Sequence, residues 1–174
     1  MAAIKHLTAR LEHQPRERLA ERFTAAAYGT VLVLAALPLI DADEVSSGLG
    51  WELVTGVGVA TWVAHLYAEA VGDHLRRGAA LDREEITRAM VDGLPILLAA
   101  VPPAVVLALG RFSALDERTA LWLAVAIAIV QLVGLGVVVG SLASTRDGRG
   151  VWTYAAATAA IGLVVVSLKL ILGH

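Results

Sequence analysis

The chain has 174 residues, 57% of them hydrophobic, with net charge −2 and mean hydropathy +0.71. Soluble domains average about 45–50% apolar residues, so the excess points to a membrane, and the balanced charge gives no electrostatic case for nucleic acid. The absence of cysteine excludes disulfides, thiolate catalysis and cysteine-based metal sites.

Residues 1–22 are charged and polar and do not read as a cleaved leader. Within them, residues 2–14 predict a short amphipathic helix: Ile4, Leu7 and Leu11 share one face, Lys5, Arg10 and Glu12 lie elsewhere, and Pro15 ends it. Such a helix rests on lipid headgroups.

A membrane span needs about 20 apolar residues to cross about 30 Å of hydrocarbon. Five stretches meet that length, at about 23–40, 51–72, 90–110, 119–143 and 151–172. The expected fold class is therefore all-α: an integral membrane bundle of five transmembrane helices in a single domain.

The first stretch carries Tyr28 and Thr30 near its middle, and the acidic loop Asp41-Ala-Asp-Glu44 follows it. The second holds the richest polar set. Thr61, His65, Glu69 and Asp73 are four apart and so form one slowly drifting stripe on a helix face. His65 lies roughly 5 Å and Glu69 roughly 11 Å inward of the midplane, with Asp73 at the boundary. Trp62 is at mid-depth, one turn from His65, where it could stack on the imidazole or plug a passage.

Asp82-Arg-Glu-Glu85 has the spacing of a capping box, so the third helix starts near Arg83, before its apolar stretch. Inside that stretch, Pro95 and the pair Pro102-Pro103 remove backbone donors, and the freed carbonyls must face protein, water or an ion. Gln131 sits near the centre of the fourth stretch. Further along, Gly136-Val-Val-Val-Gly140 followed by Ser144 makes a small-residue ridge for close helix packing, within one subunit or between subunits. Trp51, Trp122 and Trp152 lie at span ends as interfacial anchors, and Lys169 near the end of the last span can snorkel to headgroups.

Eleven basic residues lie in the three segments that five spans place on one side: residues 1–22, 73–88 and 144–150. Arg111 and Arg118 alone lie on the other side. The bias puts the N-terminus in the cytoplasm and the C-terminus outside a bacterial inner membrane.

Catalytic patterns are missing. There is no nucleophile elbow, P-loop or HExxH. Glu84-Glu85-Ile-Thr-Arg88 is one residue short of the EExxxR signature of intramembrane prenyl-protein proteases, and no matching histidine pair follows. His65 and Glu69 could form half of a metal site, but no other helix offers a histidine at that depth. No enzyme activity, cofactor or bound metal is expected.

Two resemblances add to this reading. Trp62-Val-Ala-His65-Leu-Tyr67, Gly93-Leu-Pro95, Pro102-Pro103 and Gly162-Leu-Val-Val-Val-Ser-Leu-Lys169 together resemble a family of small actinobacterial membrane proteins of uncharacterised function. The resemblance covers most of the chain and implies a multispan fold, but no activity. More distantly, Trp62 and His65 have the Trp-x-x-His spacing of the bacterial and lysosomal potassium channels. Arg22-Phe23-Thr24 is similar to the start of those channels' Phe-Ser-Asp motif, although Ala25 replaces the aspartate and the spans number five rather than six.

The expected function is a homo-oligomeric channel or transport protein for protons or monovalent cations. His65 would be the pH-sensitive group, with an unperturbed pKa of about 6.5. Glu69 would attract cations at the inner side. Thr61, Trp62, Asp73, Gln131, Tyr28, Pro102 and Pro103 are the further candidates for the pathway. The alternative is a non-transporting accessory or scaffold protein. Reporter fusions test the topology: residues 41–50, 111–118 and the C-terminus should report outside, and residues 76–88 inside. A cytoplasmic C-terminus refutes five spans.

Overall fold

The computed structural model describes residues 16–78, 82–112 and 115–143, and within 152–167 only residues 152, 153, 156–158, 160, 162, 164 and 167. The amphipathic segment at 2–14, Lys169 and most of the fifth expected span lie outside the described residues.

Helix α1, Arg16–Ala36, runs without a breaker until Pro38, which can donate no backbone hydrogen bond. A 3-10 turn, Leu37–Leu39, closes it. The next stretch, read from the sequence as an acidic loop, contains a short helix, α2, Ala42–Ser47. Its cause is local: Asp41 Oδ1 accepts from the Glu44 amide at 2.9 Å, and Glu44 Oε2 accepts from the Asp41 amide at 3.0 Å. This reciprocal capping box serves two amide donors that a helix start leaves unpaired.

Gly48, at φ 94°, ends α2 and starts α3, Leu49–Arg77. The left-handed backbone there needs a residue without Cβ. α3 ends at Gly78, and α4, Arg83–Arg111, opens on the capping box that the sequence predicts: Glu85 N to Asp82 Oδ1 at 2.8 Å, Asp82 N to Glu85 Oε2 at 3.0 Å. The helix continues through Pro95, Pro102 and Pro103. Asp116 precedes α5, Glu117–Ala143, and accepts from the Thr119 amide and hydroxyl, both at 3.1 Å.

Three helical segments are long and apolar enough to cross a membrane: Leu19–Leu39, Arg83–Arg111 and Glu117–Ser141. They correspond to the first, third and fourth expected spans. The second expected span is a helix of sufficient length, since 29 residues extend about 43 Å, but its composition falls short. Glu52, Thr55, Thr61, His65, Glu69 and several glycines dilute its apolar residues. The count among the described residues is thus three, not five.

Helix α4 lies in the middle and packs on α1, α3 and α5. Small residues let the backbones approach. A Cβ on Gly29 of α1 would stand 2.9 Å from the Ile96 Cα of α4. One on Gly58 of α3 would stand 2.8 Å from the Ala100 Cβ, and one on Gly110 would stand 2.9 Å from the Ala120 Cβ of α5. On α5, Ala120, Ala124, Ala128 and Leu132 repeat every four residues and are fully or almost fully buried. Close contacts between small residues are how helices adhere where lipid removes the hydrophobic incentive. Gly136 and Gly140 are also buried within the single chain, so the predicted ridge packs inside the subunit. Outward, the helices present apolar side chains: Val59, Val63, Leu98, Val101, Val105 and Val130 are all exposed.

Gly29 and Gly56 make a matched test. Gly29→Ala pushes against backbone and should cost about 1–3 kcal/mol of stability, whereas Gly56, with nothing within 4 Å, tolerates alanine. Thermal melting in mild detergent reads both. Equal effects at the two sites would show that α1 and α4 do not touch at Gly29.

Candidate functional site

The polar stripe of α3 faces the protein. Val54, Gly58 and Thr61 are buried and His65, Glu69 and Asp73 partly buried, while Val59, Val63, Tyr67 and Val71 on the opposite side are exposed. This reverses the amphipathic order of a surface helix in water, where the apolar face turns inward. A helix with lipid outside and polar groups inside has this order.

The middle of the stripe meets packed groups. Trp62 Nε1 donates to the Met90 carbonyl of α4 at 3.3 Å. A Cβ on Gly93 would stand 3.1 Å from the Trp62 ring and 3.5 Å from His65 Cδ2, so both rings lie over a glycine that leaves them room. Trp62 therefore fastens α3 to the inner half of α4.

Toward the cytoplasmic end expected from charge bias, ionisable groups gather. Arg22 of α1 pairs with Asp92 of α4 at 2.9 Å, and Asp73 pairs with Arg76 one turn along α3. Glu69 lies within electrostatic reach of His65, Glu21, Asp73 and Asp92. Its Oε2 is buried and accepts no hydrogen bond among the described residues. A buried carboxylate oxygen without a donor is costly, and a proton or cation on it would relieve the cost.

Glu21, Arg22 and Asp92 were not among the candidates from the sequence. Arg22 reads there as a topology charge. Asp92, though, is an acid inside the third apolar stretch, and the cost of an acid in hydrocarbon is a signal that could have found it.

The remaining candidates do different work. Pro103 cannot donate to the Ala99 carbonyl one turn earlier. Gln131 Nε2 of α5 donates to that carbonyl instead, at 3.4 Å, and leaves its own Oε1 buried and unpartnered. The proline's orphan is thus answered by a side chain on the next helix, and Gln131 is tied to α4 rather than to His65. Thr30 Oγ1 donates within its own helix, to the Ala26 carbonyl at 2.8 Å. Tyr28 is half-exposed. Pro102 is partly and Pro103 fully buried. The structure brings His65, Trp62, Glu69 and Asp73 together with Asp92 and Arg22, and does not gather Tyr28, Gln131 and the proline pair around them. Among the described residues no group of three or more His, Asp or Glu could hold a metal ion.

Comparison with protein-family models, with curated proteins and with solved structures gives no match.

The carbonyl capture can be isolated by a double-mutant cycle. Gln131→Leu should cost about 0.6–2 kcal/mol, since it abandons a carbonyl inside the protein. Pro103→Ala restores the helical donor, so Gln131→Leu should cost clearly less in that background. Additive effects on melting would mean that the contact contributes nothing.

Proposed function

We propose that the chain is a multispan membrane protein that binds and moves a small cation, the proton foremost, at the inner half of α3. Glu69 is the binding carboxylate, and His65 one turn away is its partner in proton exchange. The observation that carries this reading is the buried Glu69 oxygen, without a donor among the described residues and within electrostatic reach of Glu21, Asp73 and Asp92. A concentration of acids beside an unsatisfied carboxylate favours cations over anions.

In this reading α3 also crosses the bilayer, with its polar stripe covered by α4, and the last segment supplies a fifth span. The basic residues of 1–22, 73–88 and 144–150 support a cytoplasmic N-terminus and an outside C-terminus in a plasma membrane. Assembly into a homo-oligomer belongs to the same proposal. It would need a surface other than the Gly136/Gly140 ridge, which is already buried within the chain.

A second reading has its own observation. Trp62 and His65 pack directly on Gly93, which closes the middle of the stripe, as suits a non-transporting accessory or scaffold protein.

Purified protein in liposomes separates the two. Transport predicts a proton or monovalent-cation flux that changes between mildly acidic and neutral pH. His65→Ala should flatten that pH response, and Glu69→Gln should lower the flux about tenfold or more while shifting its midpoint less, because a group that sheds a charge-assisted contact loses at least about 1.4 kcal/mol. No flux above empty liposomes for protons, sodium or potassium decides for the scaffold reading.

A further inference from the structure

Where the first turns of α3 meet the last half of α4, the protein surface carries a groove of about 300 Å³. It opens outward, its walls are almost wholly apolar, and none of the stripe residues Thr61, His65, Glu69 or Asp73 lines it. Ala104 and Ala108 leave the hollow on the α4 side, Thr55 and Trp51 border it on α3, and Leu97 is the lining residue of α4 farthest from Ala108.

Its length matches one leaflet. From Ala108 to Leu97 the groove runs about 16 Å along α4, against about 15 Å for half of the hydrocarbon thickness. Spread over that length, the volume makes a trough of hydrocarbon-chain girth, well under the section of a helix about 10 Å across.

Its mouth carries charge. The Arg111 Nε and the Trp51 Nε1 converge beside Gly48, 3.3 Å and 3.5 Å from where a Cβ on that glycine would stand. Arg111 is exposed, and among the described residues it makes no ion pair. Gly162, a described residue of the last segment, packs on Leu34 and Leu132, on α1 and α5, so that contact lies outside the groove.

We propose that this groove binds one membrane phospholipid, with the phosphate on Arg111 and the Trp51 indole N–H and one acyl chain along the α4 alanines. A guanidinium presents several donors to phosphate oxygens, and an indole at the membrane boundary supplies one more. An apolar trough one leaflet deep, ending at a cation, is complementary to a phosphate carried on a hydrocarbon chain.

Full-length protein is purified in mild detergent, stripped of lipid and offered phosphatidylethanolamine. Native mass spectrometry and the melting temperature are then read. The wild type should hold one lipid per chain and melt higher for it. Arg111→Gln should weaken that binding about tenfold, as loss of a charge-assisted contact does. Thr55→Phe and Ala108→Phe fill the trough at positions that are not fully buried, so each should abolish the adduct and leave the lipid-free melt nearly unchanged. Lipid carried equally by the wild type and both filled variants would be a general lipid coat and would overturn the proposal. No adduct on the wild type overturns it too. A lipid-free dimer that Thr55→Phe splits would assign the groove to a second copy of the chain instead.

Discussion

One helix with three neighbours has to be thin on three sides, and that requirement governs the arrangement around α4. The Gly29–Ile96, Gly58–Ala100 and Gly110–Ala120 approaches bring α1, α3 and α5 against it with little side chain at the contact. Contacts this short bring backbones together, and dispersion then acts over many atoms at once. They also set the register of each neighbour. Gly58 against Ala100 places Trp62 opposite Gly93, and with it the whole polar stripe of α3 against the inner half of α4.

The proline pair fits into the same arrangement. α4 remains helical through Pro102 and Pro103, and Gln131 reaches the Ala99 carbonyl because the alanine ladder of α5 seats that helix close by. The Arg22–Asp92 pair fastens α1 at the other end of α4. The Arg22 side chain is about one-third exposed, so the pair contributes modestly to stability. It also occupies Asp92, whereas the buried Glu69 Oε2 has no donor among the described residues.

Much of this was legible in the residues. Asp82 and Glu85 announce the start of α4, and the four-residue spacing from Thr61 to Asp73 places those side chains on one inward face, as the structure has them. The same capping logic at Asp41 and Glu44 went unread because a helix of six residues leaves no periodic pattern to draw attention to it. Rotation was less legible: Gln131 bonds the Ala99 carbonyl while His65 lies beside Gly93, because helices can carry polar groups at similar depth and face different ways, and sequence reports depth far better than rotation. The partner of a proline-freed carbonyl, or of Asp92, is a tertiary fact that spacing along one helix cannot supply.

The inverted order of α3 bears on how such a chain is made. In the proposed five-span reading a helix with His65 and Glu69 along one side gains little by entering lipid alone, because an ionisable residue opposes insertion by up to about 2.5–3.5 kcal/mol at the helix centre and by less toward the boundary. α4, which follows, is long and apolar enough to cross a membrane, and its Gly93 packs against Trp62 and His65 of the stripe. In that five-span reading the two helices are therefore suited to enter the membrane together as a hairpin. On this account the glycine at position 93 acts during biogenesis as well as in the finished fold, because a bulkier residue there would deny the first helix of the pair its cover at the moment it must leave water.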